Sequence, residues 1–365
     1  MRIKVRHLAS AANPSQGRIM DKISVQDLAN ILVDFLKRFN YNDTARLPSE
    51  ELKPLYDFVL PYIPYNEKIV RELAEYAHCT FPFLPLEVRQ AVALYDTFQM
   101  SVDDLPVEQY DSLHNLCVQL SSGEAVKHPA WNGFFNSLPI LLQYYGPYAQ
   151  TTLFRGALEF IQATCLERTL FRGFPCSTYP NYVRRMSGQG PVQAAICFPE
   201  AEFPQEQYLP LVASLEAELE YFVGPVNDLF SFYKESGSAF ERINYPLNEA
   251  ACTGQSVLDI LTDLVNTATG SWVRVRKILE AVGDKRLSDR IGEFFQGYVR
   301  YHLYCSRYKI GMVCAESGNR ELLRFHQMTL DVVGAGTNAT AKETLRSDAV
   351  TDGLAFESAN GTNKR

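Results

Sequence analysis

The stretch Asn227-Asp228-Leu229-Phe230-Ser231-Phe232-Tyr233-Lys234-Glu235 carries three polar side chains at regular spacing. Asn227, Ser231 and Glu235 stand at i, i+4 and i+8, and because a helix turns about 100° per residue they share one face. An amide oxygen, a hydroxyl and a carboxylate suit a hard cation such as Mg²⁺, which is usually shared with substrate phosphates. The alternative is a polar helix face in water. The apolar run at 221–226 favours a buried face instead.

The composition is that of an acidic, aromatic-rich globular protein. The 365 residues include 20 Tyr and 22 Phe but two Trp, and the net charge is −7. This charge argues against a nucleic-acid partner, which would need a basic surface. A helix that spans a membrane needs about 18 consecutive apolar residues. No apolar run in this sequence approaches that length, so we expect no membrane span. The basic N-terminus lacks the apolar core of a signal peptide, so we expect a cytoplasmic protein with eight free thiols.

The apolar residues recur almost everywhere with a helical period. Ser24 is a predicted N-cap, and helices are predicted after it at 50–62, 66–78, 86–105, 131–145, 147–169, 192–198, 206–235, 254–281, 285–315 and 318–331. Long apolar helices predict an all-α bundle with a buried interior. We expect one helical domain at 21–333, a flexible N-terminal arm at 1–20 and a disordered tail at 334–365.

A pair of acids closes one of the predicted helices. Asp103-Asp104 follows an otherwise apolar segment, and Pro106 interrupts the helix soon afterwards. Carboxylates are rarely buried unless they are paired or bound to a metal. The pair is therefore a second candidate metal-binding face, although two acids at a helix end are also a common surface feature.

Cationic residues occur at three further places. Arg184-Arg185 precedes Gly188-Gln189-Gly190, where glycines permit a helix break whose free backbone groups can face a ligand. Arg307-Tyr308 comes late in a long aromatic helix, and Lys234 lies beside the last oxygen ligand. Arginine offers a rigid, permanently charged fork for phosphate oxygens.

Two acidic faces and two cationic clusters are the parts needed to hold a diphosphate through bridging Mg²⁺ ions. The corresponding chemistry is departure of the diphosphate, with metals and cations stabilising the leaving charge. It leaves an allylic carbocation, which needs a dry cavity and gains about 0.5–2 kcal/mol from an aromatic face. The many Phe and Tyr fit this use, although an aromatic stripe in a helical protein more often forms core.

These motifs resemble class I terpene cyclases, and specifically the fungal trichodiene synthase family of sesquiterpene cyclases. Residues 226–235 are similar to the family's NSE metal motif. Further matches run in order from about residue 85 to 315: His128-Pro129-Ala130-Trp131, Gly173-Phe174-Pro175, residues 184–190, and residues 297–303 leading to Arg307-Tyr308. The resemblance implies a class I terpenoid synthase helical bundle around a central active-site cavity.

The resemblance also implies roles for individual residues. The implied Mg²⁺ ligands are Asp103, Asn227, Ser231 and Glu235. The implied catalytic set around the diphosphate is Asp103, Asp104, Arg184, Lys234, Arg307 and Tyr308. Within that set Asp104 pairs with Arg307 when the site closes. Residues on the helices that line the family's cavity are Phe98, Phe160, Tyr298 and Tyr301.

The same resemblance implies the ligands and partners of the protein. It implies three Mg²⁺ ions with bound diphosphate, Mn²⁺ as a substitute, an isoprenyl diphosphate substrate and a homodimer. Two departures from the family pattern leave the product open between trichodiene, a longiborneol-type product and others. Asp103-Asp104-Leu105-Pro106-Val107-Glu108 lacks the third acid in register, and Cys305-Ser306 replaces an Asp-Arg pair before Arg307-Tyr308.

The leading hypothesis is a Mg²⁺-dependent sesquiterpene cyclase of terpenoid secondary metabolism. It would convert farnesyl diphosphate to a cyclic C15 hydrocarbon or alcohol and diphosphate, ending the cation cascade by proton loss or by water. One alternative is a chain-elongating prenyltransferase, which usually has two aspartate-rich motifs, whereas this chain has one. Another is a catalytically inactive helical scaffold with a relict site. The aspartate-rich motif lacks its third acid, so this alternative stays open.

Overall fold

The computed structural model describes residues 23–42, 45, 47–103, 116–169, 176–236 and 244–334. These residues form helices and turns, with no strand among them, so the all-α prediction is confirmed. The α-helices are α1 (Val25–Phe39), α2 (Leu52–Val59), α3 (Glu67–Thr80), α4 (Leu86–Asp103), α5 (Leu116–Ser122), α6 (Pro129–Leu142), α7 (Pro147–Thr169), α8 (Tyr179–Ser187), α9 (Gly190–Ile196), α10 (Gln205–Ser236), α11 (Tyr245–Thr253), α12 (Val257–Val282), α13 (Lys285–Tyr304), α14 (Ile310–Ser317) and α15 (Arg320–Gly334). The predicted arm at 1–20 and the tail beyond Gly334 lie outside the described residues.

Local capping chemistry determines where several of these helices begin and end. The hydroxyl of Ser24 accepts the backbone N–H of Asp27 at 3.0 Å, as predicted for an N-cap, and Ser256 caps α12 through Asp259 at 3.1 Å. Gly283 ends α12 with a φ of 71°, a left-handed conformation that glycine adopts without a steric penalty. These boundaries are therefore encoded in short stretches of sequence.

Helix α10 runs through the middle of the bundle. It is 32 residues long and packs against α1, α7, α8, α9, α11, α12 and α13. Apart from the exposed Tyr221, its apolar residues from Leu219 to Phe232 are almost completely buried. Because neighbours surround the segment at 222–232, the face that carries Asn227 and Ser231 turns into the protein interior. None of the helices in the described ranges combines the length and apolarity required to cross a membrane.

The predicted helix at 285–315 is wrong, because the chain breaks after Tyr304. Cys305 is extended, Ser306–Tyr308 is a single 3₁₀ turn, and Lys309 has a left-handed φ of 56° before α14 begins. No proline or glycine between Tyr304 and Gly311 signals this break. Its cause is tertiary, since Tyr308 is buried with its ring 4.4 Å from that of His302. Arg307 and Tyr308 therefore lie in a turn, not on a helix.

A second break follows Ser187 and agrees with the sequence. Helix α8, which the apolar pattern did not predict, ends at Gly188, and α9 begins at Gly190. Between them Gln189 has a φ of 57°. A Cβ on Gly190 would lie 2.5 Å from the backbone Cα of Glu220, so glycine lets this break approach α10 closely. The break brings Arg184, on α8, to the polar face of α10.

Helices α13 and α3 also meet at a glycine. Gly297 is buried, and a Cβ added to it would lie 2.5 Å from the carbonyl oxygen of Cys79. The same carbonyl accepts a hydrogen bond from Nη1 of Arg300 at 2.7 Å. There is therefore no room for a side chain at position 297, and this close contact sets the distance between α13 and α3.

We predict that Gly297→Ala lowers the free energy of unfolding by about 1–3 kcal/mol, because the new methyl group meets backbone that cannot move aside. Gly292, on the same helix, is the matched control, because no atom lies within 4 Å of its added Cβ. Gly292→Ala should instead raise stability by about 0.5–1 kcal/mol through helix propensity. Urea unfolding followed by circular dichroism measures both, and equal stability of the two variants would contradict the close contact.

Candidate active site

A cavity of about 570 Å³ opens along the polar face of α10. Its wall is built from α3, α4, α7, α8, α9, α10, α11, α13 and the 3₁₀ turn. Seven of the residues singled out from the sequence as metal or diphosphate contacts line it: Arg184, Asn227, Ser231, Lys234, Glu235, Arg307 and Tyr308. Its volume is within the range of about 300–1,000 Å³ that is usual for small-molecule sites. The fold therefore brings together residues that are up to 124 positions apart (308 − 184).

On the oxygen-bearing face of α10, the amide of Asn227 is hydrogen-bonded, whereas the hydroxyl of Ser231 is not. Asn227 Oδ1 accepts from Nη2 of Arg184 at 3.1 Å, and Asn227 Nδ2 donates to the Tyr308 hydroxyl at 3.3 Å. Ser231 is 1% exposed, and its Oγ has no hydrogen-bond partner among the described residues. A buried hydroxyl without a partner costs free energy, so the position calls for a ligand that the protein does not supply.

His302 holds the amide of Asn227 in one orientation. Its Nδ1 lies 2.7 Å from the carbonyl oxygen of Tyr298, which can only accept, so Nδ1 carries the proton. Burial lowers the pKa of His302 to about 3, so Nε2 is an unprotonated acceptor at neutral pH. Asn227 Nδ2 lies 3.3 Å from that nitrogen and donates to it. The amide oxygen is therefore turned toward Arg184.

Arg184 is fixed at the cavity wall by α10. Its Nε donates to Oδ2 of Asp228 at 2.8 Å, and its Nη2 donates to the carbonyl of Gly224 at 3.0 Å. Burial raises the pKa of Asp228 to about 7, the nearby Arg184 opposes the rise, and Glu235 adds to it. Asp228 is thus only partly ionised at neutral pH, and the guanidinium keeps positive charge for an anionic ligand.

Two more cations border the same cavity from other elements. Lys234 Nζ lies 3.8 Å from Oε1 of Glu235 on α10, and Arg307 Nη1 lies 3.5 Å from Oε2 of Glu72 on α3. Both cations line the cavity, as Arg184 does. Three cations from three elements around one cavity suit a ligand with several negative oxygens, such as a diphosphate.

The donor set on α10 fits a magnesium ion. Asn227, Ser231 and Glu235 offer oxygen atoms of the kind that Mg²⁺ prefers, and the partnerless Ser231 hydroxyl is explained by such an ion. Within the described ranges no three His, Cys, Asp or Glu side chains form a metal cluster. The proposed site on α10 would not count as such a cluster, because two of its three side chains are the amide of Asn227 and the hydroxyl of Ser231. Nothing is described of the Asp103 side chain, and Asp104 with its predicted Arg307 pairing lies outside the described residues.

The four aromatic residues predicted for the cavity separate into two groups. Phe160, Tyr298 and Tyr301 line it. Phe98 is not among the described lining residues, because its ring packs in the core 6.0 Å from Phe134. The sequence placed Phe98 on a helix that lines the cavity, but it could not show whether the side chain points to the cavity or to the core.

Sequence reasoning missed a set of polar residues that also line the cavity: Tyr76, Asp96, Gln99 and Gln193. Asp96 precedes Asp103 by seven residues on α4, which places the two on one helical face. That spacing could have indicated Asp96. The roles of His302 and Asp228 depend on partners that are distant in sequence and carry no local signal.

We predict that His302 makes the protein less stable in acid. The unfolded chain binds a proton at this histidine below pH 6.5, whereas the folded state does so only near pH 3, so stability falls as the pH drops below 6.5. His302→Gln should remove this contribution of about 1.4 kcal/mol per pH unit between pH 6 and 4. Urea unfolding of both proteins at several pH values measures the difference. Parallel curves would show that His302 is not buried as a neutral group.

Comparison with known proteins supports one family. The sequence model of the trichodiene synthase (TRI5) family matches residues 25–344. Trichodiene synthase from Paramyrothecium roridum is 28% identical over 228 residues, which cover 61% of this chain and 58% of that protein. Trichodiene synthase from Fusarium sporotrichioides is 28% identical over 223 residues, covering 61% and 59%. The chain thus matches less than two thirds of the length of these curated relatives.

A solved structure supports the fold. A cucumene synthase variant superimposes with a TM-score of 0.51 at 14% sequence identity, covering 73% of this chain and 98% of that one. At this identity the similarity concerns the fold alone. It agrees with the class I terpenoid synthase bundle that was predicted from the sequence.

Proposed function

We propose that this chain, which belongs to the trichodiene synthase family, is a class I sesquiterpene cyclase. It converts farnesyl diphosphate into a cyclic C15 product and diphosphate. The observation that carries the proposal is the convergence of the Asn227, Ser231 and Glu235 face with the cations Arg184 and Arg307 on one cavity. A catalytically inactive scaffold would have no use for an oriented amide and a partnerless buried hydroxyl beside those cations.

The cations of the cavity would bind the diphosphate and stabilise it as it leaves. Negative charge grows on the diphosphate when its bond to the isoprenyl carbon breaks, so donors that are already in place lower the barrier. Arg184 is held by Asp228 and Gly224 and needs no rearrangement. Burial raises the pKa of Tyr308 well above 10, so its hydroxyl keeps its proton and can donate. Arg307 and Lys234 complete this end of the cavity.

Mg²⁺ fits the same end of the cavity. When bound, it supplies Lewis-acid stabilisation of the diphosphate oxygens. Asn227, Ser231 and Glu235 would hold one ion, and the resemblance to the family implies Asp103 as a ligand of another. His302 contributes by keeping the amide of Asn227 in a fixed orientation. We propose a homodimer and more than one bound ion on the basis of the family alone.

The aromatic residues beyond the cations would protect the carbocation. Tyr76, Tyr298 and Tyr301 form a cluster, with the rings of Tyr76 and Tyr301 centred 4.9 Å apart. Aromatic rings attract a cation without reacting with it. The hydroxyl of Tyr298 donates to the carbonyl of Val223 at 3.0 Å, so its proton is held away from the cavity chemistry. This wall shields the cation from bulk water.

The first test is incubation of the purified protein with farnesyl diphosphate and Mg²⁺, followed by gas chromatography–mass spectrometry of an organic extract. We expect a cyclic C15 product that disappears when EDTA removes the metal, because the leaving group is then no longer stabilised. Parallel reactions with isopentenyl diphosphate added test for chain elongation. Longer diphosphates in place of a cyclic product would overturn the proposal.

Ser231 separates a role in metal binding from a role in folding. Ser231→Ala removes a buried hydroxyl that lacks a partner, so we expect the unfolding free energy to stay equal or to rise by about 1 kcal/mol. Turnover should nevertheless fall by a factor of about 10 or more, with a higher Mg²⁺ requirement, because a ligand is lost. The two effects are measured by urea unfolding and by steady-state kinetics over a range of Mg²⁺ concentrations.

Ser214 provides the matched control. It lies on α10 but is exposed, and its Oγ donates to the carbonyl of Pro210 at 2.7 Å. Ser214→Ala should leave turnover and its Mg²⁺ dependence unchanged. Unchanged kinetics in Ser231→Ala as well would mean that the hydroxyl is not a metal ligand.

A further inference from the structure

Part of the cavity wall is polar in a place where the proposed chemistry has no need of polarity. Asp96 and Gln99 lie on α4, Gln193 lies on α9 and Tyr76 lies on α3, and each is at most 7% exposed. All four line the cavity. A cavity that only had to exclude water from a carbocation would present apolar or aromatic groups here. The cluster therefore needs a separate explanation.

The hydrogen bonds within this cluster leave one buried oxygen atom without a partner among the described residues. Tyr76 donates its hydroxyl proton to Oε1 of Gln193 at 2.7 Å, and the Gln193 amide is in turn hydrogen-bonded to the Asp96 carboxyl. Gln99 Nε2 donates to Oε1 of Gln189 at 3.2 Å. Oδ2 of Asp96 is buried and has no partner among the described residues. A polar, roomy site with an unsatisfied carboxyl oxygen is where proteins hold an ordered water.

The position of the cluster on α4 separates it from the diphosphate end. Asp96 precedes Asp103, the last residue of α4, by seven residues, which is about 10 Å along a helix axis. Gln99 lies on the same face one turn from Asp96. A ligand that spans the cavity would therefore have its diphosphate near one end of this face and its hydrocarbon near the polar cluster.

We propose that Asp96, Gln99 and Gln193 hold a water molecule that captures the final carbocation, so that the product is a cyclic C15 alcohol. This inference rests on the proposed function and specifies its last step. A lone pair of the water oxygen forms the C–O bond to the cationic carbon. One O–H bond of the resulting oxonium then breaks, its electrons stay on the oxygen of the alcohol, and the proton passes to the carboxylate of Asp96.

The surroundings of Asp96 suit this exchange. Burial raises its pKa to about 8, so its ionised form is a stronger base than an ordinary aspartate, and the fraction that is ionised and able to take the proton grows as the pH rises toward 8. Gln193 and Gln99 have amide groups that can both donate and accept, which positions a water without consuming it. The proton returns to solvent after the product has left.

The test is a reaction of the protein with farnesyl diphosphate and Mg²⁺ in water enriched in heavy oxygen, with mass spectrometry of the extract. The native protein should give an alcohol that carries the heavy isotope. Asp96→Asn cannot accept the proton, and Asp96→Leu cannot hold the water. Both should lower the ratio of alcohol to hydrocarbon by at least about tenfold, with C15 hydrocarbons replacing the alcohol.

Thr97→Val is the matched control on the same helix. Thr97 is fully buried, and its hydroxyl donates to the carbonyl of Ala93, away from the cavity. Its product should be the native one. Asp96→Asn is nearly isosteric, so it tests the assignment even where Asp96→Leu fails to fold.

The outcomes separate the inference from the proposed function. Unlabelled C15 hydrocarbon as the sole product of the native protein would overturn the water site and leave the cyclase function standing. Labelled alcohol in undiminished proportion from Asp96→Asn would overturn the role of Asp96. Absence of any cyclic C15 product from the native protein would overturn the function and the inference together.

Discussion

The burial of helix α10 at residues 222–232 is the constraint on which the rest of the structure depends. A helix in that position must satisfy its polar side chains inside the protein, where an unpartnered group is costly. Asn227 is satisfied by Arg184, Tyr308 and His302, and each of these residues comes from a different element. The Ser231 hydroxyl is left without a partner. The need to satisfy the buried polar side chains of one helix thereby fixes the orientation of a set of oxygen ligands.

The electrostatics of the cavity follow from the same arrangement. Asp228 is buried behind Arg184, and its raised pKa leaves the guanidinium with charge to spare for an anion. Arg307 reaches the cavity only because the chain leaves α13 at Cys305 and turns. The cations thus meet across elements that are fixed by packing, which is the arrangement that the proposed departure of a diphosphate requires.

The polar cluster around Asp96 distinguishes this cavity from a purely apolar container. Its carboxyl lies seven residues before Asp103 on α4, and it lines the cavity together with Gln99. The two ends of the cavity pose opposite demands. In the proposed reaction, one end stabilises departing negative charge, and the other holds water near a cation without admitting the solvent. The aromatic group of Tyr76, Tyr298 and Tyr301 contributes to the wall of the same cavity.

The sequence by itself determined the helical class, the positions of most helices and the one-sided spacing of Asn227, Ser231 and Glu235. These features depend on periodicity and capping within a few residues, as at Ser24. Tertiary structure alone decided the break at Cys305 and the orientation of Asn227 by His302. Each of these depends on a partner far away in the chain, and the free energy of such contacts leaves no mark on local spacing.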